Sequence, residues 1–314
     1  MLRTTVALLA AAGLACAAAP ASTPTRTIPA GVTVAGIHVG GLTAEPARHR
    51  IETSFSRPLR IVTPRGVATV DPARAGAVVD VDAAVASALT ATPRSGIAVP
   101  VRYSPKLAAQ IVDGLAKRFD RAPVNATVVG ADAGGPLFSA TRAGLAVDRK
   151  TMRAAIGQLL RDGTRGPLRL VTHPVAPKRT AAGFGHVIVI TRGANTLRLY
   201  DGTQLVRSFR VATGQAIYPT PAGIWRIVDM QRDPWWYPPT YDEWAKGLKP
   251  VPPGPGNPLG TRWMGLNSPG VGIHGTDAPA SIGYSASHGC IRMQVPEAEW
   301  LFEHVNVGTP VVIL

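Results

Sequence analysis

Cys290 lies two positions after His288 and sixteen after His274, in the runs Gly272-Ile273-His274-Gly275-Thr276 and Ser287-His288-Gly289-Cys290-Ile291-Arg292-Met293. A thiol becomes an effective nucleophile when a neighbouring imidazole takes or holds its proton. Gly275 and Gly289 let the backbone come close to reacting atoms, and a turn before Cys290 can aim amides at a developing oxyanion. Residue types alone leave either histidine as the base. The cysteine count adds to this: Cys16 and Cys290 are the only two, and Cys16 falls in an N-terminal stretch that reads as a secretory signal. The mature chain would then hold one free thiol in a compartment where thiols oxidise. The plain alternative is an inert buried cysteine, and two nearby histidines beside a glycine weigh against it.

These groups need a frame. His186–Thr191 is apolar on both faces, as in a buried strand, and Arg192-Gly193-Ala194-Asn195 turns it into Thr196–Tyr200. Asp201-Gly202 is a hairpin signal before Leu205–Ala212. The pattern predicts a β-meander, not a doubly wound sheet. Thr220-Pro221-Ala222-Gly223 leads into a further strand at Ile224–Met230, Pro296 opens a helix over 296–305, and Val311–Leu314 closes the sheet. His186 and His304 read as structural and surface residues. Between Gln231 and Gly265 lie Trp235, Trp236, Trp244 and Trp263, four of the six tryptophans, with Tyr237, Tyr241 and eight prolines. A loop this long and aromatic suits a lid or groove wall for an extended substrate, with a self-packed rigid insertion as the plain alternative.

Upstream, Ala73–Asp80 matches Thr141–Asp148 at five of eight positions, and each box precedes an alanine-rich helical stretch, 82–89 and 150–160. This predicts a duplicated α+β module over 34–176, with Gly76 and Gly144 in turns and Asp80 and Asp148 as helix caps. Thr43 is a further cap candidate, for a helix over 45–55. A flexible tether is expected at 22–33 and a linker at 177–184. Arg3, the apolar stretch Val6–Ala19 and Ala19-Pro20-Ala21 form a signal over 1–21, in which Cys16 offers an alternative lipid anchor. The formal charge is +14, which would suit a polyanion, either nucleic acid or an anionic cell wall, and no RNA-binding signature or zinc finger supports nucleic acid.

The joined motifs around His274 and Cys290 closely resemble the signature of the L,D-transpeptidase (YkuD) family. The resemblance extends through Thr220–Gly223, Asn257–Met264 and Gly308–Val311, covering residues 185–314. It implies an α+β chain: a mostly-β catalytic domain of sandwich or meander type with a short helix, preceded by a peptidoglycan-binding-like module. By that resemblance Cys290 is the nucleophile, His274 the proton acceptor and donor, and the Gly275 carbonyl its orienter. His288 and the amides of Gly289 and Cys290 form the oxyanion pocket. Arg292 supports the thiolate or holds a substrate carboxylate, and Ser287 is a hydrogen-bonding support at the substrate site. Trp235, Trp236 and Trp263 are the expected substrate-binding rings.

The implied reaction joins peptidoglycan stem peptides by 3→3 cross-links with release of D-Ala, needs no cofactor or metal, and is inhibited by carbapenem β-lactams. It would take place in the cell envelope or outside the cell, with membrane attachment only through Cys16. An L,D-carboxypeptidase and a non-catalytic wall-binding protein are the alternatives. A zinc site at His274, His288 and Cys290 is a third, weakened by the lack of a fourth ligand.

Overall fold

The computed structural model describes residues 26–314 except Thr164 and Tyr241. The signal stretch and Cys16 lie outside the described residues, as do residues 22–25 of the expected tether. Among the described residues no helix is long and apolar enough to cross a membrane. The chain divides into two units. One is the chain up to Arg118 with Val147–Val171; the other is Phe119–Ala146 with Thr172–Leu314.

The first unit packs α1 (Ala44–Ser56) and α2 (Val81–Leu89) around one apolar core. Ala47, Ile51 and Phe55 are buried at a spacing of four along α1, which lines them on a single face. Ile28 and Val32 are buried in the same core, and Ile28 N–H donates to the Leu42 carbonyl at 2.8 Å. Residues 28–33 are therefore anchored chain and not tether, because their apolar side chains have a core to enter. Thr43 occupies the α1 cap position without a side-chain bond. Asp80 accepts Ala83 N–H at the start of α2, and Asp148 accepts Thr151 N–H at the start of α3 (Arg149–Asp162). Both aspartates satisfy orphan helix amides, a structural role. Gly76 has φ +65° and ends a short 3-10 turn. Gly144 instead sits in a strand, Gly144–Val147, where a Cβ would strike Pro123 and the Arg121 carbonyl.

Each box of the sequence repeat follows a hairpin. A hairpin, Leu59–Thr63 with Gly66–Val70, precedes the first box. Another, Val128–Asp132 with Gly135–Phe138, precedes the second. The second hairpin belongs to the unit that holds the cysteine, where Gly135 packs against the Tyr200 ring and Phe138 lies 4.9 Å from Phe184. Residues 177–184 are also tied down in that unit. Asn125 Oδ1 accepts Lys178 and Arg179 N–H at 2.7 and 3.2 Å, so the expected free linker is a pinned segment.

The main sheet of the second unit has eight strands: β1 (His186–Thr191), β2 (Thr196–Asp201), β3 (Gln204–Arg210), β4 (Gly223–Arg232), β5 (Arg262–Leu266), β6 (Gly272–His274), β7 (Ile291–Arg292) and β8 (Pro310–Ile313). They form one sheet in the order β3-β2-β1-β8-β4-β5-β6-β7. The predicted meander holds for β1–β3, with Asn195 at φ +49° in the first turn and Gly202 at φ +55° in the second. The C-terminal strand does not close an edge: β8 enters the middle, parallel to β1 and antiparallel to β4. Val311, Val312 and Ile313 are all buried, as a strand covered on both faces requires. A register shift in β4 between Ile227 and Asp229 adds a residue and bends the sheet there. Helix α4 (Val295–His304), with Pro296 in its first turn, buries Ala298, Leu301 and Phe302 at helical spacing in the main core. His304 is half-buried, stacked on Trp300 at 3.7 Å.

Candidate active site

Parallel pairing of β6 with β7 brings the two motif halves together. Ile273 pairs with Ile291 and His274 with Arg292, and Met293 N–H donates to the His274 carbonyl at 2.8 Å. Cys290 immediately precedes β7, at the end of a tight turn. Gly289 in that turn has φ +110°, a region that an L side chain avoids. Ser287 is 1% exposed; its hydroxyl donates to the Cys290 carbonyl at 2.5 Å and accepts Gly289 N–H at 3.2 Å. It is a hydrogen-bonding support, as expected. The same bond occupies the Gly289 amide, which is thus turned inward instead of facing an oxyanion as expected.

His274 is 4% exposed. Its Nδ1–H donates to the Gly275 carbonyl at 2.5 Å, which fixes the ring and leaves Nε2 as its basic nitrogen. Burial lowers its pKa from 6.5 to about 4; the Gly275 bond opposes that shift and the Arg292 charge adds to it. The imidazole is therefore neutral at pH 7, ready to accept a proton. Gly275 carries its glycine for space, since a Cβ would press on Val295 and the Leu259 carbonyl. The Cys290 thiol donates to the Gly270 carbonyl at 3.4 Å. Its pKa is raised, mainly by burial, against a backbone bond from Gly272 and the Arg292 charge. Both shifts favour the uncharged thiol and imidazole. Arg292 is the charge that acts on both, and it also lowers the His288 pKa after the larger effect of burial, with Asp242 opposing.

These groups line a cleft of about 1020 Å³, together with Trp235, Trp236, Trp263, Ser287, His288 and Gly289. Gly275 is the one expected site residue outside the lining, because it acts from behind His274. The aromatic segment is an excursion from the β4–β5 hairpin. Arg232 pairs with Arg262, and Asp233 N–H donates to the Thr261 carbonyl at 2.8 Å, so its ends meet. Trp236 and Val251 exchange backbone bonds, both at 2.9 Å. Asn257, 1% exposed, closes the loop from inside: Nδ2 donates to the carbonyls of Pro234, Pro252 and Val251, and Oδ1 accepts Leu259 N–H.

Trp263 stacks on His274 at 5.8 Å and covers Gly272, where a Cβ would hit its ring. It roofs the His274 imidazole from the cleft wall. Trp235 and Tyr237 are exposed and stacked on each other at the lip. Sequence reasoning missed three residues. Trp244 stacks face to face on His288 at 4.0 Å, Asn257 ties the loop, and Thr220 lies under the Gly289 turn. All three stood in runs already singled out, and for Asn257 a buried polar residue in an aromatic loop was the available signal. Among the described residues no three His, Cys, Asp or Glu side chains gather into a metal-binding group.

A family model described as "L,D-transpeptidase catalytic domain" matches residues 185–313. One described as "Putative peptidoglycan binding domain" matches residues 68–169. The chain is 30% identical over 131 residues to "Putative L,D-transpeptidase YqjB" of Bacillus subtilis, covering 40% of this chain and 69% of that protein. It is 35% identical over 126 residues to "Putative L,D-transpeptidase YkuD" of Bacillus licheniformis, covering 40% of this chain and 64% of that protein. The chain thus spans 64% of the length of that relative, and the same share of its Bacillus subtilis counterpart. Among solved structures, the Enterococcus faecium L,D-transpeptidase catalytic domain acylated by ertapenem is 26% identical; the match covers 41% of this chain and 97% of that one, with a TM-score of 0.34.

Proposed function

Because this chain belongs to the L,D-transpeptidase family, we propose that it remodels peptidoglycan by acyl transfer through a thioester on Cys290. The acyl donor is a stem peptide cut between its third residue and the following D-Ala. His274 Nε2 takes the thiol proton as sulfur attacks the carbonyl carbon. The tetrahedral oxyanion collapses, the proton passes to the departing amine, and D-Ala leaves. An amine on a second stem then attacks the thioester, gives its proton to His274, and forms a 3→3 cross-link as the thiol is restored. Splitting one amide exchange into two acyl transfers needs no ATP.

The observation that carries this reading is the buried, neutral His274, its Nδ1–H held by Gly275, lining one cleft with Cys290. A neutral imidazole is the form that can act as general base. Arg292, whose charge favours the thiolate, fits the same role, and from the cleft lining it would meet a substrate carboxylate. Water in place of the amine gives an L,D-carboxypeptidase through the same intermediate. Carbapenems would acylate the same thiol, the matched peptidoglycan-binding region would hold the wall polymer, and the work would be done in the cell envelope. Incubation with tetrapeptide-bearing muropeptides, followed by weighing the products, tests the reading. Cross-linked dimers short of one D-Ala support transpeptidation, tripeptides support the carboxypeptidase, and unchanged substrate refutes both.

A further inference from the structure

Thr220 is fully buried beneath the nucleophile turn. Its hydroxyl donates to the Gly289 carbonyl at 2.9 Å and accepts Gly214 N–H at 2.8 Å. Its own carbonyl accepts from Arg192 Nη1 at 2.9 Å, so the residue is gripped on both sides. The strand carrying Gly214 runs parallel to Ser285–Ser287, and Gln215 N–H donates to the Ser287 carbonyl at 3.0 Å. A Cβ on Gly214 would strike the Tyr218 carbonyl and the Thr220 nitrogen. The segment 213–220 is thus a fitted strap along the turn.

The Gly289 carbonyl and the Cys290 N–H belong to one peptide unit. That unit is planar and trans, so the two groups point in opposite directions. Whatever fixes the oxygen fixes the N–H, and a hydrogen bond to the oxygen also polarises the amide as a donor. Gly289 N–H is occupied by Ser287. The Cys290 amide is then the donor of this turn left for an oxyanion.

We propose that Thr220 is a positioning residue for acyl transfer: by holding the Gly289 carbonyl it sets the direction of Cys290 N–H toward the oxyanion. This rests on the acyl-transfer reading above. Removing an oxyanion donor outright costs about 10²–10³-fold in rate, so misaligning one in Thr220→Val should cost kcat of D-Ala release about 10–100-fold, with KM little changed. Alkylation of Cys290 by iodoacetamide develops no oxyanion and should keep its rate. Thr220→Ser, which keeps the hydroxyl, should restore kcat to within a few-fold. The Cys290 amide proton resonance should move in Thr220→Val and return in Thr220→Ser. Should Thr220→Val fail to fold, Thr220→Ala, which removes the hydroxyl without adding a methyl, carries the same expectation. Equal losses in alkylation and acylation, an undiminished kcat, or failure of serine to rescue would each overturn the proposal. If wild type is alkylated but accepts no acyl group from any donor, the acyl-transfer reading fails instead. The Cys290 resonance needs no turnover and still decides whether Thr220 sets that peptide.

Discussion

Acid should destabilise this protein in part through His274, and the size of that part follows from the site. His274 is buried and neutral, its pKa moved from 6.5 to about 4. Between those values the unfolded chain binds a proton that the folded one does not. Stability is therefore full above about pH 6.5 and declines as pH falls toward 4. At about 1.36 kcal/mol per unit, the full loss is about 3 kcal/mol, of which about 2.5 kcal/mol is already gone at pH about 4.5. His274→Gln keeps a polar group without the titration. Urea unfolding of both proteins, from about pH 7.5 to 4.5, should show the stability gap between them shrinking by about 2.5 kcal/mol. His288 titrates in both and cancels. Curves that stay parallel would mean that His274 titrates like an exposed imidazole, and the account of a neutral buried base would fail. By the same reasoning kcat/KM should hold on the acid side well below pH 6.5.

Asn257→Ala removes four hydrogen bonds of the aromatic excursion; at about 1 kcal/mol each, less what water recovers, thermal melts should show a loss of about 2–4 kcal/mol, with KM raised. Trp235→Ala removes an exposed ring from the lip and should raise KM for stem peptides while leaving the melting temperature unchanged; a large stability loss would mean the ring is core. A truncated chain beginning at Ala181 loses the hairpin over Val128–Phe138, which uncovers Tyr200 and Phe184. At about 2 kcal/mol per aromatic re-exposed, its urea midpoint should fall clearly below that of the full chain, and an unchanged midpoint would show that the hairpin is dispensable.

The candidate site was legible because its residues are local in type: one thiol, two histidines and glycines in two short runs that the sheet brings together. Capping aspartates Asp80 and Asp148 were legible for the same reason, as each bonds an amide three residues on. What could not be read was set by long-range pairing. Nothing near Pro310–Ile313 says that it inserts between β1 and β4, since an apolar strand reads alike at an edge or at the centre. Thr220 donates to a carbonyl 69 positions away, and Gly289 spends its amide on Ser287 because of a turn angle that residue types permit without demanding. The expected tether is anchored at Ile28 and the segment between the two matched regions is pinned at Lys178, because composition reports mobility only when no core waits for Ile28 and no Asn125 for Lys178.

The central claim is that Cys290 carries the acyl group. Intact-protein mass after exposure to a tetrapeptide stem or a carbapenem tests it most directly. Wild type should gain one acyl adduct that maps to Cys290, and Cys290→Ser should gain none and release no D-Ala, because a hydroxyl ionises far less readily than a thiol. D-Ala release retained in Cys290→Ser, or an adduct mapped to any other residue, would contradict the account.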